Sequence, residues 1–141
     1  GFDDRSMINQ CLLNRYIISY EPYNFKGRPS DYPQTVAYGM KMDRLRRDLS
    51  AYFWDGEWMG RRGGAVAAEG RDGFGDYAVF QNQNGRSGMV IVNYDEENSI
   101  TVTPVLNDGQ TLSRYRLVDD DELTCFEGSF DIPPMSAAAV I

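Results

Sequence analysis

Hydrophobic positions in the N-terminal part of the chain follow the 3.6-residue period of α-helices. Ile8, Cys11 and Leu12 share one face of a predicted helix, whose first turn Asp3 or Asp4 can cap. A longer apolar stripe predicts a second helix, which begins near Pro33, can be capped by Asp31 and stops at Asp55-Gly56. The stripe consists of Tyr38, Met42, Leu45, Leu49 and Tyr52. Between the two helices, residues 16–20 form a short apolar run that predicts a strand buried on both faces.

Beyond residue 60 the pattern changes to short strands separated by Gly, Asn and Asp. Asn84-Gly85 accepts positive φ angles and predicts a tight hairpin turn between strands at 77–82 and 88–94. Further strands are predicted at 99–106, 111–118, 124–130 and 137–141. Many short strands with regular turn signals are typical of an antiparallel, Greek-key-like β-sandwich. We therefore expect a mainly β fold in two parts, a helix-strand-helix segment over 1–59 and a sandwich over 60–141.

Composition and charge exclude several classes of function. The chain is 42% hydrophobic and 25% charged, which is typical of a globular protein. No apolar run approaches the roughly 20 residues that cross a bilayer, so no membrane span is predicted. The net charge of −7 argues against a nucleic-acid partner, because such partners require a basic surface. The one basic cluster, Arg44, Arg46 and Arg47, is interpreted as a solvated helix face.

The absence of histidine removes the commonest catalytic base and the commonest zinc ligand. The two cysteines, Cys11 and Cys125, are far apart and lack a CxxC spacing. We interpret them as buried free thiols, and a disulfide between them stays open. No metal and no cofactor is therefore predicted.

Several segments resemble a known class of enzymes. The stretches NRYIISYEPYNFKG, from residue 14, and YGMKMDRLRRDLSAYFWDGEW, from residue 38, are similar to the last β/α unit of a glycoside hydrolase (β/α)8 barrel. The stretches MVIVNYDEEN and FDIPPMSAAAVI resemble the accessory β-sandwich that follows the barrel in amylase- and galactosidase-type glycosidases. The resemblance covers nearly the whole chain. It implies the C-terminal region of a bacterial glycoside hydrolase, with 1–59 as the end of the barrel.

The same resemblance places the two catalytic carboxylates on earlier barrel strands, outside these residues. The chain itself is then an enzyme fragment without a catalytic residue. Glu21 and Tyr23 follow the predicted strand, at the position where barrel enzymes build their active sites, so both are candidates for substrate binding. The alternative is that Glu21 pairs with an arginine and that Tyr23 belongs to the barrel rim.

Other conspicuous residues have structural interpretations. Phe53, Trp54 and Trp58 are expected to pack at the seam before the sandwich. Residues 119–122, all acidic, are interpreted as a charged turn rather than a calcium site, and the glycine-rich stretch 70–76 as a loop.

Three functions stay open at this stage: an accessory region that stabilises a catalytic barrel, a carbohydrate-binding module, and a plain protein-interaction sandwich. A binding module needs coplanar exposed aromatics on a sheet face, so the exposure of the aromatic side chains discriminates among the three. The expected partners are the catalytic barrel of the same protein and, in the second case, a carbohydrate. The segment around Ile17 is also expected to associate with other copies if its strand lacks neighbours. The cellular compartment stays open.

Overall fold

A computed structural model describes residues 4–18 and 32–141. Within this part, three helices precede the strands: α1 (Arg5–Asn14), α2 (Pro33–Asp48) and α3 (Ser50–Phe53). The first strands are β1 (Glu57–Trp58), β2 (Gly64–Ala68), β3 (Tyr77–Gln81), β4 (Ser87–Val92) and β5 (Ile100–Leu106). The remaining strands are β6 (Arg114–Leu117), β7 (Thr124–Cys125), β8 (Phe130–Ile132) and β9 (Ala137–Val140).

The described strands form two antiparallel sheets. One has six strands in the order β1-β3-β4-β9-β6-β7, and the other has three in the order β2-β5-β8. Helices are few beside them, so the chain is mainly β with a sandwich-like arrangement, as the sequence predicts.

The six-stranded sheet is the central layer of three. In β4, Val90 and Val92 join the core under the helices, whereas Met89 and Ile91 join the core shared with the three-stranded sheet. Successive side chains of a strand point to opposite faces, so a strand covered on both faces must be apolar throughout. This explains the unbroken burial of β9 and of nearly all of β4.

The hairpin between β3 and β4 is confirmed, but of the two turn residues Gly85 has a positive φ and Asn84 does not. Gly85 has a φ of 81°, and the Asn82 side chain accepts hydrogen bonds from the amides of Asn84 and Arg86, both at 3.0 Å. The predicted strand at 124–130 is wrong, because two strands in different sheets occupy this part of the chain. Gly128, with a φ of 105°, lies at the crossing.

The predicted strand at 16–20 is also wrong over residues 16–18, which form no strand, and residues 19 and 20 lie outside the described part. Arg15 ends α1 in the left-handed region, with a φ of 56°, and the Tyr16 amide donates to the Cys11 carbonyl at 2.9 Å. This backbone therefore completes a helix end instead of joining a sheet.

Specific contacts fasten the helices to the sheet. The Asn9 side-chain amide donates to the Met135 carbonyl at 3.1 Å, and its oxygen accepts from the Tyr38 hydroxyl at 2.5 Å. Arg116, which is buried in β6, donates to the Asp48 carboxylate of α2 at 2.7 Å. The helical residues and the six-stranded sheet thus share one hydrophobic core.

Candidate functional site

A groove of about 740 Å³ lies on the helix side of the molecule. Its apolar lining is contributed by the segment after α1, the outer face of α2 and the end of α3: Ile17, Ile18, Ala37, Met40 and Trp54. Among the described residues, its charged lining comes from α2: Lys41, Asp43, Arg44, Arg46 and Arg47. The groove thus combines an apolar surface with a mainly cationic rim.

Arg46 is the residue that organises this region. Its side chain is 1% exposed, so the interpretation of the whole basic cluster as a solvated face is wrong for Arg46. The Nη1 group donates to the Tyr16 carbonyl at 2.7 Å and to the Cys11 carbonyl at 3.5 Å. The Nη2 group donates to the Asp43 carboxylate at 2.9 Å, and the guanidinium carbon lies 4.4 Å from the centre of the Trp54 ring. One cation therefore joins the end of α1 to α2 and α3.

The spacing along α2 explains why Arg46 differs from its neighbours. Position 46 is four residues after Met42 and three before Leu49, so Arg46 falls on the buried stripe. Arg44 and Arg47 lie off that stripe and are exposed. The signal was therefore present in the sequence, as an arginine on an apolar face.

The described lining of the groove contains one carboxylate, and one thiol lies nearby. Asp43 is its one carboxylate there, and it is engaged by Arg46. Burial raises the pKa of the nearby Cys11 thiol, so the reactive thiolate is disfavoured. Glycoside hydrolysis requires two carboxyl groups on either side of the bond, and this lining supplies no such pair.

The two predicted substrate-binding residues, Glu21 and Tyr23, lie outside the described residues. Their role stays a prediction. The cysteine interpretation is correct for Cys11, which is buried, and wrong for Cys125, which is exposed; both are free.

Of the aromatics before the sandwich, Phe53 and Trp54 pack against other side chains, whereas Trp58 is 43% exposed. Phe53 is buried and meets Phe80 edge to face, with ring centres 5.2 Å apart. Trp54 lies against Arg46, as described above. The Trp58 indole donates to the Leu13 carbonyl at 2.9 Å, which fastens β1 to the end of α1.

The aromatics of the sandwich half are all buried or half-buried. They are Phe74, Tyr77, Phe80, Tyr94, Tyr115, Phe126 and Phe130. Tyr115 stacks on Phe130 with ring centres 4.1 Å apart, and Phe126 meets Phe130 edge to face. Tyr115, Phe126 and Phe130 thus contact one another between the two sheets, and none of the seven rings is exposed.

The acidic turn at 119–122 is bound to the helix layer. Asp119 accepts from Lys41 at 3.2 Å, and Asp121 pairs with Arg44 at 3.1 Å. Both pairs are largely exposed. The turn therefore interacts with α2 as a charged surface loop.

Asp95 organises another turn, at the rim of the space between the sheets. Its carboxylate accepts from the amides of Glu97 at 2.9 Å and Asn98 at 2.8 Å, and it contacts Arg71. These two amide hydrogen bonds lower the pKa of Asp95 to about 2. Asn93 reinforces the same rim by donating to the Ile132 and Pro133 carbonyls, both at 3.1 Å.

Comparison with protein-family models, curated proteins and solved structures finds no match to this chain. None of the described helices has the length and apolar character that crossing a membrane requires.

Proposed function

We propose that this chain is the non-catalytic C-terminal accessory region of a bacterial glycoside hydrolase, and that it stabilises the catalytic barrel of the same protein. The proposal includes the origin of the helices at the end of the barrel and a Greek-key connection of the strands. The position of β9 between β4 and β6 supports such a connection, because consecutive hairpins alone do not produce this order.

One observation favours the accessory role over a carbohydrate-binding module. A carbohydrate-binding module grips sugar rings with exposed aromatic faces, whereas the aromatics of the sandwich half point into the core or half into it. Tyr16 and Trp58 are the exposed large aromatics of the described part, and the indole N–H of Trp58 is already bound to Leu13. Rings that fill a core favour a structural role.

The packing of the helices gives further support. A barrel end that continues into an accessory sandwich needs a rigid junction. Here α1 and α2 share a core with the six-stranded sheet, and Arg15 donates to the Trp54 and Gly56 carbonyls at the point where the strands begin.

The test is an affinity-gel assay of the 141-residue chain on soluble polysaccharides, beside hydrolysis assays of a longer protein that carries the barrel. We expect no retardation of the chain and hydrolysis by the longer protein. Retardation that Trp58→Ala or Tyr16→Ala abolishes would establish the binding module instead. An inactive longer protein together with an unretarded chain would leave the protein-interaction sandwich.

A further inference from the structure

The sheet edges of this molecule are protected unequally. Edge strands expose backbone N–H and C=O groups that can pair with another chain, so proteins usually keep such edges short or charged. Among the described strands, β1 and β7 are edges of two residues each, and β8 is an edge of three that carries Asp131. The fourth edge, β2, has five residues, and none of them is charged or a proline. Of these edges, β2 is therefore the most open to a further strand.

The register of β2 on β5 shows which backbone groups of β2 point outward. Val66 lies opposite Pro104, which has no N–H to donate. Because hydrogen-bonded and non-bonded pairs alternate in an antiparallel ladder, Val66 belongs to a non-bonded pair, and so does Gly64 two residues before it. Ala65 and Ala67 then bind β5. The N–H and C=O groups of Gly64 and Val66 therefore point away from β5.

Hydrogen bonds at both ends of the ladder agree with this register. At one end the Glu69 amide donates to the Thr101 carbonyl at 2.9 Å. At the other end the Asn107 amide donates to the Gly63 carbonyl at 3.0 Å. Both bonds place the odd-numbered residues of this segment on the bonded pairs. Within the described part of the chain, no hydrogen bond reaches the outward groups of positions 64 and 66.

Three residues make up the open part of the strand. The next outward residue, Ala68, is already in use, because its carbonyl accepts from the Arg71 amide at 3.1 Å. Residues 64–66 remain, and we call them the open edge. Ala65 is exposed, and its partner in β5, Val105, is 53% exposed on the same face of the sheet.

The open edge is complementary to a second copy of itself. A two-fold axis at Ala65 sets the two strands antiparallel and places Gly64 of each copy opposite Val66 of the other. Each of these pairs exchanges both backbone hydrogen bonds, so every outward group of the open edge gains a partner in both copies. At the axis the two Ala65 methyl groups meet, with Val105 on either side. These side chains are small enough for normal strand spacing.

The charges that flank β2 favour a second copy over an unrelated peptide. Arg61 and Arg62 precede the strand and Glu69 follows it, and all three are exposed. Among the described residues, Arg62 and Glu69 have no ion-pair partner. Two antiparallel copies put the basic end of each strand beside the acidic end of the other, so both ends of the contact are attractive. An unrelated peptide would need the same order of charges to match as well.

We propose that two copies of this chain associate through the open edge, β2 against β2, and join their three-stranded sheets into one. Backbone hydrogen bonds supply the contact, and the flanking charges fix its antiparallel orientation. The shared ladder is short, so we expect a dimer that forms only at high concentration. It does not depend on the accessory function proposed above. It also uses a different surface from the segment around Ile17, whose expected association stays a prediction.

Amide hydrogen exchange measured by NMR separates the outward from the inward groups. Solutions of the 141-residue chain are compared from about 10 μM to about 1 mM, the range in which weak dimers form. The Val66 amide should exchange several-fold more slowly at the upper end, because it donates to Gly64 of the other copy. The Ala67 amide, which binds β5, should not change. A Val66 exchange rate that is the same at every concentration would overturn the proposal.

Two matched lysine variants locate the contact by sedimentation equilibrium. The weight-average mass of the original chain should rise with concentration toward twice the 16.0 kDa of one chain, and a constant mass would contradict association. Ala65→Lys sets two like charges against each other at the axis and should weaken association about tenfold or more. Thr103→Lys adds the same charge at an exposed position on the central strand of the sheet and should leave association unchanged. Equal weakening by both variants, each verified as folded by circular dichroism, would reject the open edge.

A mixing experiment tests the antiparallel orientation. Arg62→Glu and Glu69→Lys should each weaken the association of the variant with itself, because each loses an attraction at both ends of the contact. A mixture of the two variants should associate more strongly than either alone, because the exchanged charges then face each other across the two copies. Since Arg62 and Glu69 form no ion pair within one copy, recovery in the mixture reports a contact between copies. A mixture no stronger than the separate variants would overturn the orientation.

Discussion

The two faces of the six-stranded sheet are covered by different kinds of packing. On the side of the three-stranded sheet, the core consists of aliphatic and aromatic side chains such as Ile91, Val102 and Phe130. On the helix side, the apolar core is interrupted by buried polar groups: Asn9, Thr35 and Arg46. Each of these makes a hydrogen bond to another segment of the chain.

The difference shows how two layers can be fixed by different means. Strand register and alternation orient one sheet on another, so the contact there is mostly apolar, with Asn93 as a buried polar group at its rim. A helix on a sheet can slide or rotate at small cost in apolar contact, and buried polar groups then select one position because a misplaced one would lose its partner. We infer that Asn9 and Arg46 orient the helix layer.

The largest loss of stability is expected when one phenylalanine on each face of the six-stranded sheet is replaced. Phe80→Ala on the helix side and Phe130→Ala between the sheets should each lower the free energy of unfolding by about 3–5 kcal/mol. Phe80 is fully buried and Phe130 is 7% exposed, so Phe80→Ala should have the larger effect. Urea unfolding followed by circular dichroism measures both.

The shape of those transitions gives a second result. Because the helices share a core with the sheet, we expect a single transition for the original chain and for both variants. A separate early transition in Phe80→Ala would show that residues 1–59 unfold independently, as the predicted boundary at residue 60 implies.

The second test removes the buried cation. Arg46→Met keeps most of the side-chain length but leaves the Tyr16 carbonyl and Asp43 without their donor. Buried hydrogen bonds from a charged group contribute about 1.5–3 kcal/mol, and we expect the lower half of this range because Nε of Arg46 has no partner among the described residues. Arg47→Met, on the exposed side of the same helix, is the control and should change stability little. Equal losses would contradict the assignment of Arg46 as the anchor.

The sequence predicts the strands of the sandwich better than the segment next to the helices. Alternation and the Asn84-Gly85 turn were sufficient for β3, β4 and β5. The short strand β2 was missed, because Gly64–Ala68 is made of small residues with little hydrophobic contrast. The run at 16–18 has the apolar pattern of a buried strand. Instead, the left-handed conformation of Arg15 ends α1 just before it, and the Tyr16 carbonyl accepts a hydrogen bond from Arg46.

The groove was the least predictable feature. Its lining brings together Ile17, Met40 and Trp54 from three separate segments. Local sequence patterns do not predict which distant segments lie close together. The position of Arg46 on the apolar stripe of α2 predicts its burial. Its acceptor, the Tyr16 carbonyl, is 30 residues away along the chain, so the sequence does not predict that contact.

The third test concerns the pair that fastens α1 to α2 and to the turn before β9. Asn9→Ala removes the donor to Met135 and the acceptor of the buried Tyr38 hydroxyl, so a loss of about 1–3 kcal/mol is expected. Tyr38→Phe alone should be less damaging, because Asn9 keeps its bond to the Met135 carbonyl. The double variant should lose less than the sum of the two single losses, and strict additivity would mean that the hydroxyl and the amide do not interact.

The smallest effect is expected at the rim between the sheets, where Asp95 organises a half-buried turn. The folded pKa of Asp95 is about 2, below the ordinary 3.8. Its contribution to stability is therefore complete above pH 3.8 and is lost as the pH falls toward 2, because the unfolded chain takes up the proton first. Asp95→Asn keeps an oxygen acceptor for the amides of Glu97 and Asn98 but loses the charge. Urea midpoints from pH 6 to pH 2 should fall less steeply for this variant than for the original chain. Parallel pH profiles would show that the turn contributes nothing through its charge, and the apolar core and the hydrogen bonds of Asn93 would then account for the inter-sheet side.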